Sequence, residues 1–292
     1  MDQLLSPAAA RVFFDGLRTD PRLDHPEGIA LHPLDGSLWC GGGGGQLFRI
    51  SPDGSGISTR AERPGGFVLG VAISATGDVV WLDALRREVL CLPADGGDVR
   101  VLCGPATPGV QLHYPNAALF LPDGSLLVTD SHAGPGVPAD RPGPGVLRVA
   151  VDGDVSVWSG EDYDFANGIA LAPGADAVFV AESAAHRISR VPIRPDGSAG
   201  ARETWVDGLE EVPDGLAVGP DGALYVACYY PARLLRVGAG RDVEVLYDDP
   251  RGHVLANPTN LVFRGSELLV ANLGRWHVTS VDLAELLEGA PS

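Results

Sequence analysis

The chain has 292 residues, 45% of them apolar and 20% charged, which is enough to bury a sizeable core and argues against disorder. A net charge of -17 leaves no basic footprint for nucleic acid or an anionic membrane, and with arginine as the sole basic residue type lysine chemistry is excluded, from Schiff bases to P-loop phosphate binding. No apolar run approaches the roughly 20 residues of a bilayer span, and residues 1–10 carry no basic, apolar leader, so a cytoplasmic location is expected.

Along the chain, residues 11–17 (Arg-Val-Phe-Phe-Asp-Gly-Leu) have the look of an outer strand that precedes its own sheet, paralleling residues 203–209. One phrase then recurs six times: a short apolar run, a turn built on Gly, Asp or Pro, a second apolar run, then a polar stretch. Aligned on Glu27, Gly70, Asn116, Asn167, Asp214 and Asn260, the copies are spaced by 43, 46, 51, 47 and 46 residues, the period of a four-stranded propeller blade. An all-β, six-bladed β-propeller is predicted, with four antiparallel strands per blade and residues 1–292 forming one domain. The last copy ends on a third strand at residues 276–281, so the N-terminal strand is expected to complete the last blade and close the ring. Cys40, Cys91, Cys103 and Cys228 lie far apart with no CxxC spacing, and read as buried free thiols.

The residue that opens the inner strand of a blade points toward the central axis. Two carboxylates, three amides and one glycine stand at the six aligned positions, and convergent polar groups in a narrow channel are costly unless a cation sits among them. The oxygen-only set of Glu27, Asn116, Asn167 and Asp214 suits a hard divalent ion, Ca²⁺ first, with Mg²⁺ or Mn²⁺ as alternatives. Four protein ligands leave coordination positions for water or substrate; an ion that merely plugs the channel is the competing reading.

The phrases Pro26-Glu27-Gly28, Pro115-Asn116, Phe165-Ala166-Asn167-Gly168 and Pro213-Asp214-Gly215 resemble the SMP-30/gluconolactonase family, which is related to paraoxonases and diisopropylfluorophosphatase. The resemblance spans nearly the whole chain. It implies a Ca²⁺- or Zn²⁺-type site made by those four residues and hydrolysis of lactones or related esters, with Asp214 as base or nucleophile. Where the family usually has Asp after the blade-three asparagine this chain has Ala117, and where sugar lactonases have a substrate-contacting Arg it has Tyr114. A less polar lactone or ester is therefore the expected small-molecule substrate.

Loops leading into the first strand and out of the second share the face of the ring, which nominates Tyr114, Tyr229, Tyr230, Asn272, Arg86 and the ring residue Asn260 as substrate contacts. His132 is the histidine expected to assist catalysis, because it follows Val128-Thr-Asp-Ser at the mouth and precedes a Gly/Pro-rich lid candidate at residues 133–144. A monomer or small homo-oligomer is expected. A strictosidine-synthase-like condensing enzyme, an isomerase and a non-catalytic binding propeller are the alternatives.

Overall fold

A computed structural model describes residues 3–131, 145–160 and 162–288. These residues form six four-stranded antiparallel sheets, each following chain order from the axis outward except the last. In that sheet the N-terminal strand, Ala10–Asp15, pairs antiparallel with His277–Asp282 and supplies the outer edge. The predicted closure holds. Among the described residues no helix is long and apolar enough to cross a membrane.

The second strand of each blade explains how this sequence stabilises a ring. Val79–Asp83 is buried at every residue, as is Leu126–Asp130. Successive side chains of a strand face opposite ways, so continuous burial means that both faces are covered. Val79 and Trp81 enter the apolar cluster shared with Trp39 and Leu47 of blade one, whereas Val80 and Leu82 enter the cluster shared with Val128 and Leu147 of blade three. One such cluster fills each of the six seams between blades. Each fully buried Val or Leu contributes about 1.5–3 kcal/mol, so the seams carry most of the apolar stabilisation. The N-terminal strand serves two seams, with Ala10 in that between blades five and six and Phe14 in that between six and one. All four cysteines are buried and free, and burial pushes the Cys40 thiol up to about 12.

The inner strands share an irregularity. In blades two to six the ladder skips two residues opposite one: Leu69 and Gly70, Asn116 and Ala117, Asn167 and Gly168, Asp214 and Gly215, Thr259 and Asn260. A bulge of this kind re-aims a side chain. This register corrects the sequence alignment by one residue in two blades. Leu69 and Thr259, in place of Gly70 and Asn260, are the structural equivalents of Asn116, Asn167 and Asp214. The second bulge residue lies where neighbouring inner strands approach most closely: a Cβ on Gly168 would stand 2.2 Å from the Asp214 carbonyl oxygen, and one on Gly215 would stand 2.4 Å from that of Thr259. Blade six places Asn260 at this position.

Candidate metal centre and its cavity

Glu27, Asn116, Asn167 and Asp214 come together at the floor of a cavity of about 460 Å³, and all four are buried. The two asparagines are held alike. Asn116 donates its amide N–H to Ser131 Oγ at 2.9 Å, and Ser131 donates onward to the Ala166 carbonyl at 2.7 Å. In the next blade Asn167 donates to Ser183 Oγ at 3.0 Å, and Ser183 donates to the Pro213 carbonyl at 2.6 Å. Each serine hydroxyl has one proton and gives it to a backbone carbonyl, so it can only accept from the asparagine. That fixes the amide orientation: nitrogen toward the serine, oxygen away from it.

The consequence is a cluster of buried oxygens without hydrogen-bond partners, namely Asn116 Oδ1, Asn167 Oδ1 and Asp214 Oδ1. Buried polar atoms are normally satisfied, and an orphaned acceptor is costly. The carboxylates tell the same story. Burial raises the Glu27 carboxyl well above its ordinary value, reinforced by the charge of Asp214 and opposed by the Asn260 hydrogen bond; burial also raises Asp214. Without a positive charge between them both carboxyls are pushed toward their protonated forms, whereas a divalent ion would satisfy the orphaned oxygens and both carboxylates at once. The donor set is all oxygen, and among the described residues no group of three or more His, Cys, Asp or Glu side chains is placed to hold a metal. The residues therefore fit a hard cation such as Ca²⁺ and offer none of the nitrogen or sulfur ligands that Zn²⁺ favours.

Of the nominated substrate contacts, Tyr114 and Tyr229 line the cavity. Tyr230 follows Tyr229 on the same strand, so it faces the other way and is 70% exposed. Asn260, at the second bulge position, reaches across the seam and donates to Glu27 Oε2 at 3.2 Å and to the Glu27 carbonyl at 3.1 Å. It steadies a ring carboxylate and borders the opposite end of the channel, beside Gly70 and Ala117.

Asn272 and Arg86 also lie away from the cavity. Asn272 accepts from the Ala256 N–H at 2.8 Å and donates to Thr279 Oγ1 at 2.9 Å. Its counterparts in other blades hold the incoming loop in the same way: Asp83 accepts from Phe67 N–H, Asp130 from Tyr114 N–H and Glu182 from Asp164 N–H. The polar residues that end these second strands are thus loop clamps. Arg86 sits on the rim, with its Nε 3.5 Å from Glu88 Oε2 and its guanidinium donating to the Pro64 carbonyl. His132 and the lid candidate at residues 133–144 lie outside the described residues. The histidine that does line the cavity is His186, which sequence reasoning passed over; its place shortly after the second strand of blade four was the available signal.

The model of the SMP-30/Gluconolactonase/LRE-like region matches residues 55–271. The chain belongs to this family. Over 224 residues the chain is 27% identical to a protein of Arabidopsis thaliana named strictosidine synthase-like 6, covering 70% of this chain and 56% of that protein, so the chain spans about half the length of that relative. A solved gluconolactonase of Xanthomonas campestris superposes with a TM-score of 0.76 at 20% identity, covering 94% of this chain and 89% of the other. A virginiamycin B lyase of Staphylococcus aureus superposes with a TM-score of 0.64 at 15% identity, covering 94% and 99%. At these identities the two structures establish the shared fold. Within the family frame, Tyr114 in place of the Arg of sugar lactonases is a wall residue of the cavity, 8% exposed.

Proposed function

We propose that this chain is a divalent-cation-dependent hydrolase of small lactones or related esters, with Ca²⁺ held by Glu27, Asn116, Asn167 and Asp214. The observation that carries the reading is the convergence of three unpartnered buried oxygens and two desolvated carboxylates at the floor of one cavity. Family membership and the gluconolactonase fold support it. A bound cation supplies Lewis-acid polarisation of a carbonyl and a counter-charge for the oxyanion that develops there.

The chain supplies the rest. The Asp214 carboxylate, on the cavity floor, orients the attacking water and takes its proton. Ser131 and Ser183 keep the asparagine oxygens aimed at the reacting centre through two hydrogen-bonded relays to backbone carbonyls. The apolar walls around the ring thin out competing water and strengthen every polar contact on the floor.

The test is a panel of lactones, aryl esters and phosphotriesters assayed with Ca²⁺, with EDTA, and after Ca²⁺ is restored. Hydrolysis of at least one lactone or ester, abolished by EDTA and recovered with Ca²⁺, is expected. Equal rates in all three conditions, or no hydrolysis in any, would overturn the reading.

A further inference from the structure

We infer that the cavity selects lactones or esters bearing an aliphatic tail over polyhydroxylated sugar lactones, an inference that rests on the hydrolase reading above. The first observation is the ring itself. At the level of the ligands, blade two contributes Leu69, 4% exposed, so an apolar group stands beside the reacting centre where other blades place oxygen. Leu69 is part of a packed unit with Ala84 and Tyr114, against which Phe67 leans, and this unit forms one wall. Phe165, Val212, Tyr229 and Leu273 form the facing wall.

The second observation is what the walls lack. Among the described residues, Glu27 and Asp214 are the charged side chains lining the cavity apart from any charge on His186. The Ser183 hydroxyl is engaged on both sides, accepting from Asn167 and donating to Pro213. Among the described residues, His186 and two phenol groups remain to meet a substrate hydroxyl. A sugar lactone would carry several hydroxyls into this space and leave most of them stripped of water without a protein partner, which disfavours binding. A tail gains instead. Each methylene removed from water against Phe67, Leu69 or Leu273 strengthens binding by up to about 4-fold. A cavity of about 460 Å³ has room for a lactone ring together with such a tail.

Two matched series test this on the Ca²⁺-loaded protein: γ-lactones with alkyl substituents from methyl to octyl, assayed for kcat/KM beside glucono-δ-lactone, and the corresponding γ-lactams, which resist turnover, measured by calorimetry. Lactam affinity and lactone kcat/KM should both climb by 2- to 4-fold per methylene, by analogy with methylene transfer. Phe67→Ser should flatten that climb, and Leu273→Ser provides an independent reading from the facing wall. Affinity that is flat or falls with tail length, or glucono-δ-lactone as the best substrate, would overturn the inference. Tail-dependent lactam binding with no lactone or ester hydrolysed would sink the hydrolase reading and keep the tail site; hydrolysis without tail dependence would do the reverse.

Discussion

Blades three and four differ from blades two and six at the same structural position. In the first pair the leading bulge residue is an asparagine whose amide is locked by a serine of its own blade, leaving an oxygen bare at the cavity floor. In the second pair it is Leu69 or Thr259, and Thr259 turns its hydroxyl to the Glu27 carbonyl at 2.8 Å. The bulge therefore provides only the aim. Whether a blade contributes a ligand, an apolar wall or a brace for its neighbour depends on the residue placed there and on the partner waiting for it.

The comparison is broken most severely at blade five, where the bulge carries the acid. Asp214→Asn keeps the shape of the side chain and removes its ability to take a proton, so kcat should fall by about 10²–10³-fold or more while circular dichroism stays unchanged. Near wild-type turnover would remove Asp214 from the reaction. The serine locks come next. Ser183→Ala frees the Asn167 amide to rotate, and loss of such an orienting partner lowers metal affinity by about 10–100-fold, read by calorimetric Ca²⁺ titration; unchanged affinity would show that the relay does not position the ligand.

A third measurement asks whether the floor needs a cation for stability. In EDTA, Glu27 and Asp214 have raised folded-state values, so the folded protein binds protons that the unfolded chain has already released. Stability of the metal-free protein should fall as pH rises from the ordinary carboxylate range through neutrality, and saturating Ca²⁺ should reverse that slope. Melting temperatures that are the same with and without Ca²⁺ across this range would argue against a cation at the floor. The smallest effect is expected at the brace. Asn260→Ala removes two hydrogen bonds to Glu27 and should weaken Ca²⁺ binding by about 3- to 10-fold, the size of a hydrogen bond to a charged group reduced by partial exposure. A loss as large as that of Ser183→Ala would make Asn260 a full member of the site.

Repeat, blade number, ring closure and the four converging residues were all legible in the sequence, because each rests on a period or a phrase that recurs. The misplacements have a common cause. A bulge adds one residue that no hydrophobic pattern marks, so aligning blades two and six on a glycine or an asparagine put Gly70 and Asn260 one step too far along. Asn272 was nominated by the polarity of its position, yet the same position in three other blades clamps a loop backbone, a role visible only once the loop N–H groups are placed. Tyr230 was lost to the two-residue alternation of its strand. Ser131 and Ser183 were legible as polar residues on the face of the ring, but not their action through backbone carbonyls of the next blade.

Ring closure has a consequence for how the molecule is made. Residues 10–15 leave the ribosome well before their partner strand, residues 277–282. At about 5–20 residues per second, the N-terminal strand waits on the order of tens of seconds with its backbone edge and Phe14 unpaired. During that interval every completed blade is one face of an unfinished circle, and the newest seam stands open to other nascent chains. The charge of -17 then acts before folding is complete, since like-charged intermediates repel one another while the circle is still open.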